Sequence, residues 1–73
     1  MEEGDLQRRL GTNLRRLREE QGYSQEAFAD VLGYHRTYMG GIERGERNLT
    51  LKSVERIAAK LKLDPLTLLS RKS

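Results

Sequence analysis

Leucines recur at spacings of four, four and three near the start of the chain, at Leu6, Leu10, Leu14 and Leu17. That spacing lays them along one stripe of a helix and leaves the intervening arginines largely outside it. Gly22 ends the segment. Ser24 then offers a hydroxyl to a free backbone N–H, and Ala27, Phe28, Val31 and Leu32 give a second helix its apolar face before Gly33 stops it. A third segment, about His35 to Arg44, turns Met39 and Ile42 inward, and Gly45 supplies the left-handed residue just past its end. Thr50 caps a fourth, where Leu51, Val54, Ile57, Ala58 and Leu61 keep helical period. Asp64-Pro65, a cap followed by proline at the first helical position, opens a short fifth helix carrying Leu66, Leu68 and Leu69. Strand alternation, repeats and low-complexity linkers do not occur. The pattern predicts an all-α fold, with Met1 to Asp5 and the C-terminal Arg71-Lys72-Ser73 expected to fray.

Composition narrows the class. At 73 residues the chain has room for one domain, 1–73, with an ordered core over about 6–69. A domain of this size buries only about 60% of its unfolded surface. The absence of cysteine removes disulfides and thiolate metal sites. No apolar run approaches the roughly 20 residues of a membrane span, and the acidic opening MEEGD is unlike a secretory signal. A soluble, cytoplasmic protein with no membrane partner is expected.

Net charge is +3, with 34% of residues charged. Arg8, Arg9, Arg15, Arg16 and Arg18 crowd one segment, and the planar arginine fork suits phosphate. Charge alone favours nucleic acid only slightly over a solvated surface. The short connection between the second and third segments says more. Ala29 and Gly33, four apart, let the second helix and its turn approach the third, while Met39 and Ile42 fill the angle. Small residue, turn glycine and two later hydrophobes describe a helix-turn-helix, whose second helix can enter a DNA major groove.

The run SQEAFADVLGYHRTYMGGIERGERNLTL, Ser24 to Leu51, resembles the phage-repressor and Cro-type helix-turn-helix family. Within it, HRTYMGGIERGERN is most similar to the controller proteins of restriction–modification systems. The resemblance implies a lambda-repressor-like bundle of five helices in which the third reads DNA. It implies base contacts from Arg36 and Thr37, at the start of the recognition helix; Arg36 would grip guanine O6 and N7 in bidentate fashion. Gln25, Tyr38, His35, Arg44, Arg47 and Asn48 match positions near the DNA backbone, where contacts position rather than specify. His35 is also placed near the N-cap of the third helix. The resemblance further implies a homodimer through the C-terminal region, drawing on Leu63, Leu66 and Leu69, with recognition helices about 34 Å apart on an operator of two-fold symmetry.

Gly40 and Gly41 stand out, because each costs a helix interior about 1 kcal/mol relative to alanine. By resemblance Gly41 matches an outward position where relatives carry a longer, DNA-facing side chain. Closer approach of the helix to the groove floor is one expectation for the pair. Glu43 is expected to pair with a nearby arginine or with helix N–H groups, and Tyr23 and Tyr34 to pack at helix junctions.

These readings lead to a sequence-specific, nucleoid-associated transcription regulator that acts as a homodimer on restriction–modification genes, including its own promoter. It would block RNA polymerase or contact it. A general phage or chromosomal repressor and an antitoxin-like interaction module remain as alternatives. An enzyme is disfavoured by the single histidine and the lack of a phosphate loop or carboxylate pair, and no cofactor or metal is expected.

Overall fold

The computed structural model describes residues 1–71 and contains α1 (Asp5–Glu20), α2 (Gln25–Leu32), α3 (Arg36–Glu43), α4 (Leu51–Leu61) and α5 (Pro65–Leu69). Among the described residues there are no strands. The caps fall where the side-chain chemistry put them. Ser24 accepts from the Ala27 N–H, Thr50 from the Ser53 N–H and Asp64 from the Leu66 N–H. Each satisfies one of the donors that a helix start leaves free. Gly33 and Gly45 take left-handed backbones, with φ of 81° and 76°. Lys62 does the same at the end of α4, with φ of 59°, in a place where glycine would be unstrained.

The chain start departs from expectation. Asp5 opens α1 rather than fraying: its carboxylate accepts from the Glu2 N–H at 2.6 Å and pairs with Arg8. Both contacts hold the Asp5 carboxyl below the usual carboxylate range, the backbone hydrogen bond contributing most. At the other end, the expected fraying of Lys72 and Ser73 lies outside the described residues.

One core joins the helices: Leu10 and Leu14 from α1, Phe28, Ala29 and Leu32 from α2, Met39 and Ile42 from α3, Val54, Ile57 and Ala58 from α4, and Leu68 from α5. Full burial of a side chain such as Leu or Phe is worth about 1.5–3 kcal/mol, so a few of these residues decide whether so small a chain folds. Leu6 and Leu51 do not join the core; they are 46% and 77% exposed and line a shallow groove of about 250 Å³ with Leu10, Leu49, Val54 and Leu69.

The α1–α3 crossing has no side chain at its closest point. A Cβ on Gly11 would lie 2.6 Å from the Glu43 carbonyl oxygen and closer still to that of Ile42. Nearby, the buried Asn13 amide donates to the Leu68 and Ser70 carbonyls at 2.7 and 2.9 Å. These carbonyls belong to the end of a one-turn helix and have few other partners, so Asn13 fastens α5 to α1.

Candidate nucleic-acid interface

The turn between α2 and α3 is built from the backbone outward. After Gly33 turns left-handed, the Tyr34 N–H bonds to the Ala29 carbonyl at 2.9 Å, which brings the chain back across the end of α2. Ala29 is buried and small enough to allow the close return. His35 then caps α3, its Nδ1 accepting from the Thr37 N–H at 3.0 Å. With Nδ1 an acceptor, a neutral imidazole carries its proton on Nε2, the nitrogen left to donate to an outside acceptor.

Arg36 and Thr37 follow as the first two residues of α3, and both are exposed. The Arg36 guanidinium lies 3.9 Å from the Glu26 carboxylate of α2, a solvent-exposed pair. Tyr38 is half-buried, its ring centroid 5.1 Å from that of Tyr34 and 4.9 Å from the Arg47 guanidinium that lies over it. Arg44 and Arg47 are exposed in the loop after α3. Arg44 pairs with Glu46 at 3.1 Å; the contact lowers the Glu46 carboxyl and raises the Arg44 guanidinium from their ordinary values. His35, Arg36, Thr37, Tyr38, Arg44 and Arg47 thus all belong to α3 or its two flanks. Asn48 is exposed farther along the loop, on the rim of the groove beside Leu6 and Gln7.

Gln25, the first residue of α2, is half-buried. Its amide turns inward and donates to Glu43 Oε1 at 3.1 Å. Glu43 in turn receives both arms of Arg18, at 2.7 and 3.1 Å, and Arg18 also donates to the Tyr23 carbonyl at 3.1 Å. The pair is largely buried, the side chains of Arg18 and Glu43 being 14% and 4% exposed. Its bidentate bond to Glu43 raises the Arg18 guanidinium further above its already high value. One carboxylate therefore ties α1, α2 and α3 together and sets the angle at which α3 stands out. Glu43 was expected to pair with a nearby arginine or with helix N–H groups; its partner proves to be Arg18 of α1. Tyr23 packs on Phe28 at 5.6 Å between ring centroids, at a helix junction as expected.

The glycines do not face open space. Both are buried, and a Cβ on Gly41 would meet Arg47, one on Gly40 Arg44 and Gln25. The expectation of an empty outward position at Gly41 is corrected accordingly: the long side chain of Arg47 lies over it. Glu26 escaped sequence reasoning altogether, because an exposed acid on a helix carries no pattern. Its signal was its sign, a carboxylate on the helix expected to lie along phosphates.

A helix-turn-helix family model matches residues 14–68. The control protein C.SmaI of Serratia marcescens is 40% identical over 67 residues, 92% of this chain and 80% of that protein. C.MunI of a Mycoplasma species is 43% identical over 58 residues, 78% of each chain. Among solved structures, the restriction–modification controller protein C.AhdI from Aeromonas hydrophila superposes with a TM-score of 0.78 at 37% identity, covering 93% of this chain and 99% of that one. The C.Esp1396I controller tetramer in complex with its natural 35-base-pair operator gives 0.72 at 36% identity, over 86% and 83% of the two chains. The chain therefore belongs to the helix-turn-helix family and is similar within it to the control proteins of restriction–modification systems.

Proposed function

We propose that this protein is a sequence-specific transcription regulator that binds operator DNA as a homodimer and controls restriction–modification genes, its own promoter included. The observation that carries the reading is the exposed start of α3. Arg36 and Thr37 stand clear of the core on a helix whose angle is set by the buried Arg18–Glu43–Gln25 network. A recognition helix that enters the major groove end-on reads with its first exposed residues. Arg36 would read a guanine and Thr37 an adjacent base, while His35 Nε2, Tyr38, Arg44 and Asn48 hold the DNA backbone and Arg47 approaches the DNA from the loop after α3. Gln25 acts from inside, by orienting Glu43.

Dimerisation through the C-terminal region is supported by Leu66, which is 73% exposed on α5, between the half-buried Leu63 and Leu69. An aliphatic side chain that open to water gains from a second copy of the same surface. On this reading the chain is a single domain and a cytoplasmic regulator rather than an enzyme. It would act beside a promoter, by excluding RNA polymerase or touching it. The 35-base-pair operator bound by the C.Esp1396I tetramer suggests two dimers side by side.

Selection of binding sites from random duplex DNA, with wild type and Arg36→Ala in parallel, tests the proposal. The expected result is a two-fold-symmetric motif that loses one base preference per half-site in the variant. A wild-type pool with no enrichment at moderate salt would overturn the reading and favour a protein-interaction module.

A further inference from the structure

The pair Gly40-Gly41 raises a question that a helix-turn-helix does not by itself answer. Thr37 and Gly41 are four residues apart, so they share one face of α3. A side chain at 41 would continue the ridge that Thr37 begins. Instead that volume is filled from elsewhere: an ideal Cβ on Gly41 would lie 3.2 Å from Arg47 Cγ, 3.5 Å from Cδ and 2.9 Å from Nε. The Arg47 side chain crosses the bare backbone of α3 and ends with its guanidinium 4.9 Å over the Tyr38 ring.

The loop that delivers Arg47 is anchored at several points. The Glu46 N–H bonds to the Gly41 carbonyl at 2.9 Å, and the Arg47 carbonyl accepts from the Gln7 amide at 3.1 Å. Gly45 makes the turn against α1, where a Cβ would come within 2.9 Å of Arg8 Cα. Charge also separates Arg47 from its neighbours. Arg36 and Arg44 each face a carboxylate, Glu26 and Glu46, whereas Arg47 has no ion-pair partner among the described residues. A guanidinium stacked on an aromatic face keeps its N–H edge free and loses little freedom when that edge engages two acceptors.

We propose that Gly41 and Tyr38 form a seat for Arg47, and that Arg47 reads a guanine edge from the loop in place of the side chain missing from α3. This rests on the DNA-binding reading above and deepens it. A phosphate clamp would need only the charge, which lysine supplies. A base reader laid over glycine needs the planar fork and the vacant Cβ position.

Binding-site selection followed by anisotropy titrations over a range of salt separates the two, using wild type, Arg47→Lys, Arg47→Ala and Gly41→Ala. The inference expects all three variants to lose the same base preference, at a position other than the one lost in Arg36→Ala. The loss should be roughly 10-fold to 100-fold between the preferred and next-best base. Arg47→Lys leaves α3 untouched, so this result does not depend on how Gly41→Ala folds. The inference is overturned if Arg47→Lys retains every base preference and Arg47→Ala weakens all sequences alike, with the salt slope reduced by about 1. Absence of any wild-type motif would overturn both this inference and the DNA-binding reading.

Discussion

Replacing Gly11 by alanine adds one methyl group at the α1–α3 crossing. In a solvated helix the change would stabilise by up to about 1 kcal/mol. Here the new carbon would sit 2.6 Å from the Glu43 carbonyl oxygen and 2.9 Å from its carbon. Both are backbone atoms at the end of α3, so neither can swing aside as a side chain would. Restoring ordinary contact needs the helices to part by the better part of an ångström. That separation would loosen Leu10 and Leu14 against Ile42 and stretch the Arg18–Glu43 bonds. Overpacking of this kind costs about 1–3 kcal/mol, and here it outweighs the propensity gain. For a domain of this length each kcal/mol moves Tm by about 4–8 °C. Thermal unfolding followed by circular dichroism should therefore show Gly11→Ala melting lower by roughly 5–20 °C. A variant that melts at or above the wild-type temperature would refute the close packing of α1 on α3.

Glu43→Ala should destabilise by about 3 kcal/mol in urea titrations, since it strands a largely buried Arg18 and frees Gln25; equal stability would mean that the network does not set the position of α3. Asn13→Ala should cost about 1–3 kcal/mol and expose the amides of α5 to hydrogen exchange, because it removes both bonds to the Leu68 and Ser70 carbonyls. Glu26→Gln should leave Tm nearly unchanged, as exposed pairs contribute little. The same change should raise affinity for random duplex several-fold in anisotropy titrations, by removing a carboxylate beside Arg36. Asp5 predicts an acid-side effect. Its folded pKa is lowered, so its stabilisation is complete above the unfolded value, about 3.9, and is lost as pH falls through the folded one. Asp5→Asn should therefore flatten the fall in Tm in that acid range and change little at neutral pH.

What the sequence made legible follows periodicity and capping. Leu10, Leu14, Met39, Ile42 and Ile57 lie in the core because their spacing repeats with the helix, and Ser24, Thr50 and Asp64 cap because their oxygens sit one residue before a helix. Leu6 and Leu51 share that spacing yet stay exposed, since period assigns a face but cannot say whether another helix covers it. Gly11 and Asn13 were illegible for a related reason. Glycine contributes no pattern, and a buried asparagine within a leucine stripe looks like any polar interruption. In α3, the position of Arg36 and Thr37 at the helix start was legible through the motif, and both are exposed there. The inward turn of Gln25 was not, because one amide serves phosphate or carboxylate equally well. Nor was the cover over Gly41, which depends on where Gly45 sends the chain.

The most direct test of the account is an anisotropy titration of the wild-type protein against its selected symmetric operator and a scrambled duplex of equal composition, at one physiological salt concentration. A specific regulator should bind the operator at least about 10³-fold more tightly, with a transition that reports dimer binding. Equal affinity for the two duplexes would contradict sequence-specific recognition and reduce the basic surface around α3 to a nonspecific phosphate contact.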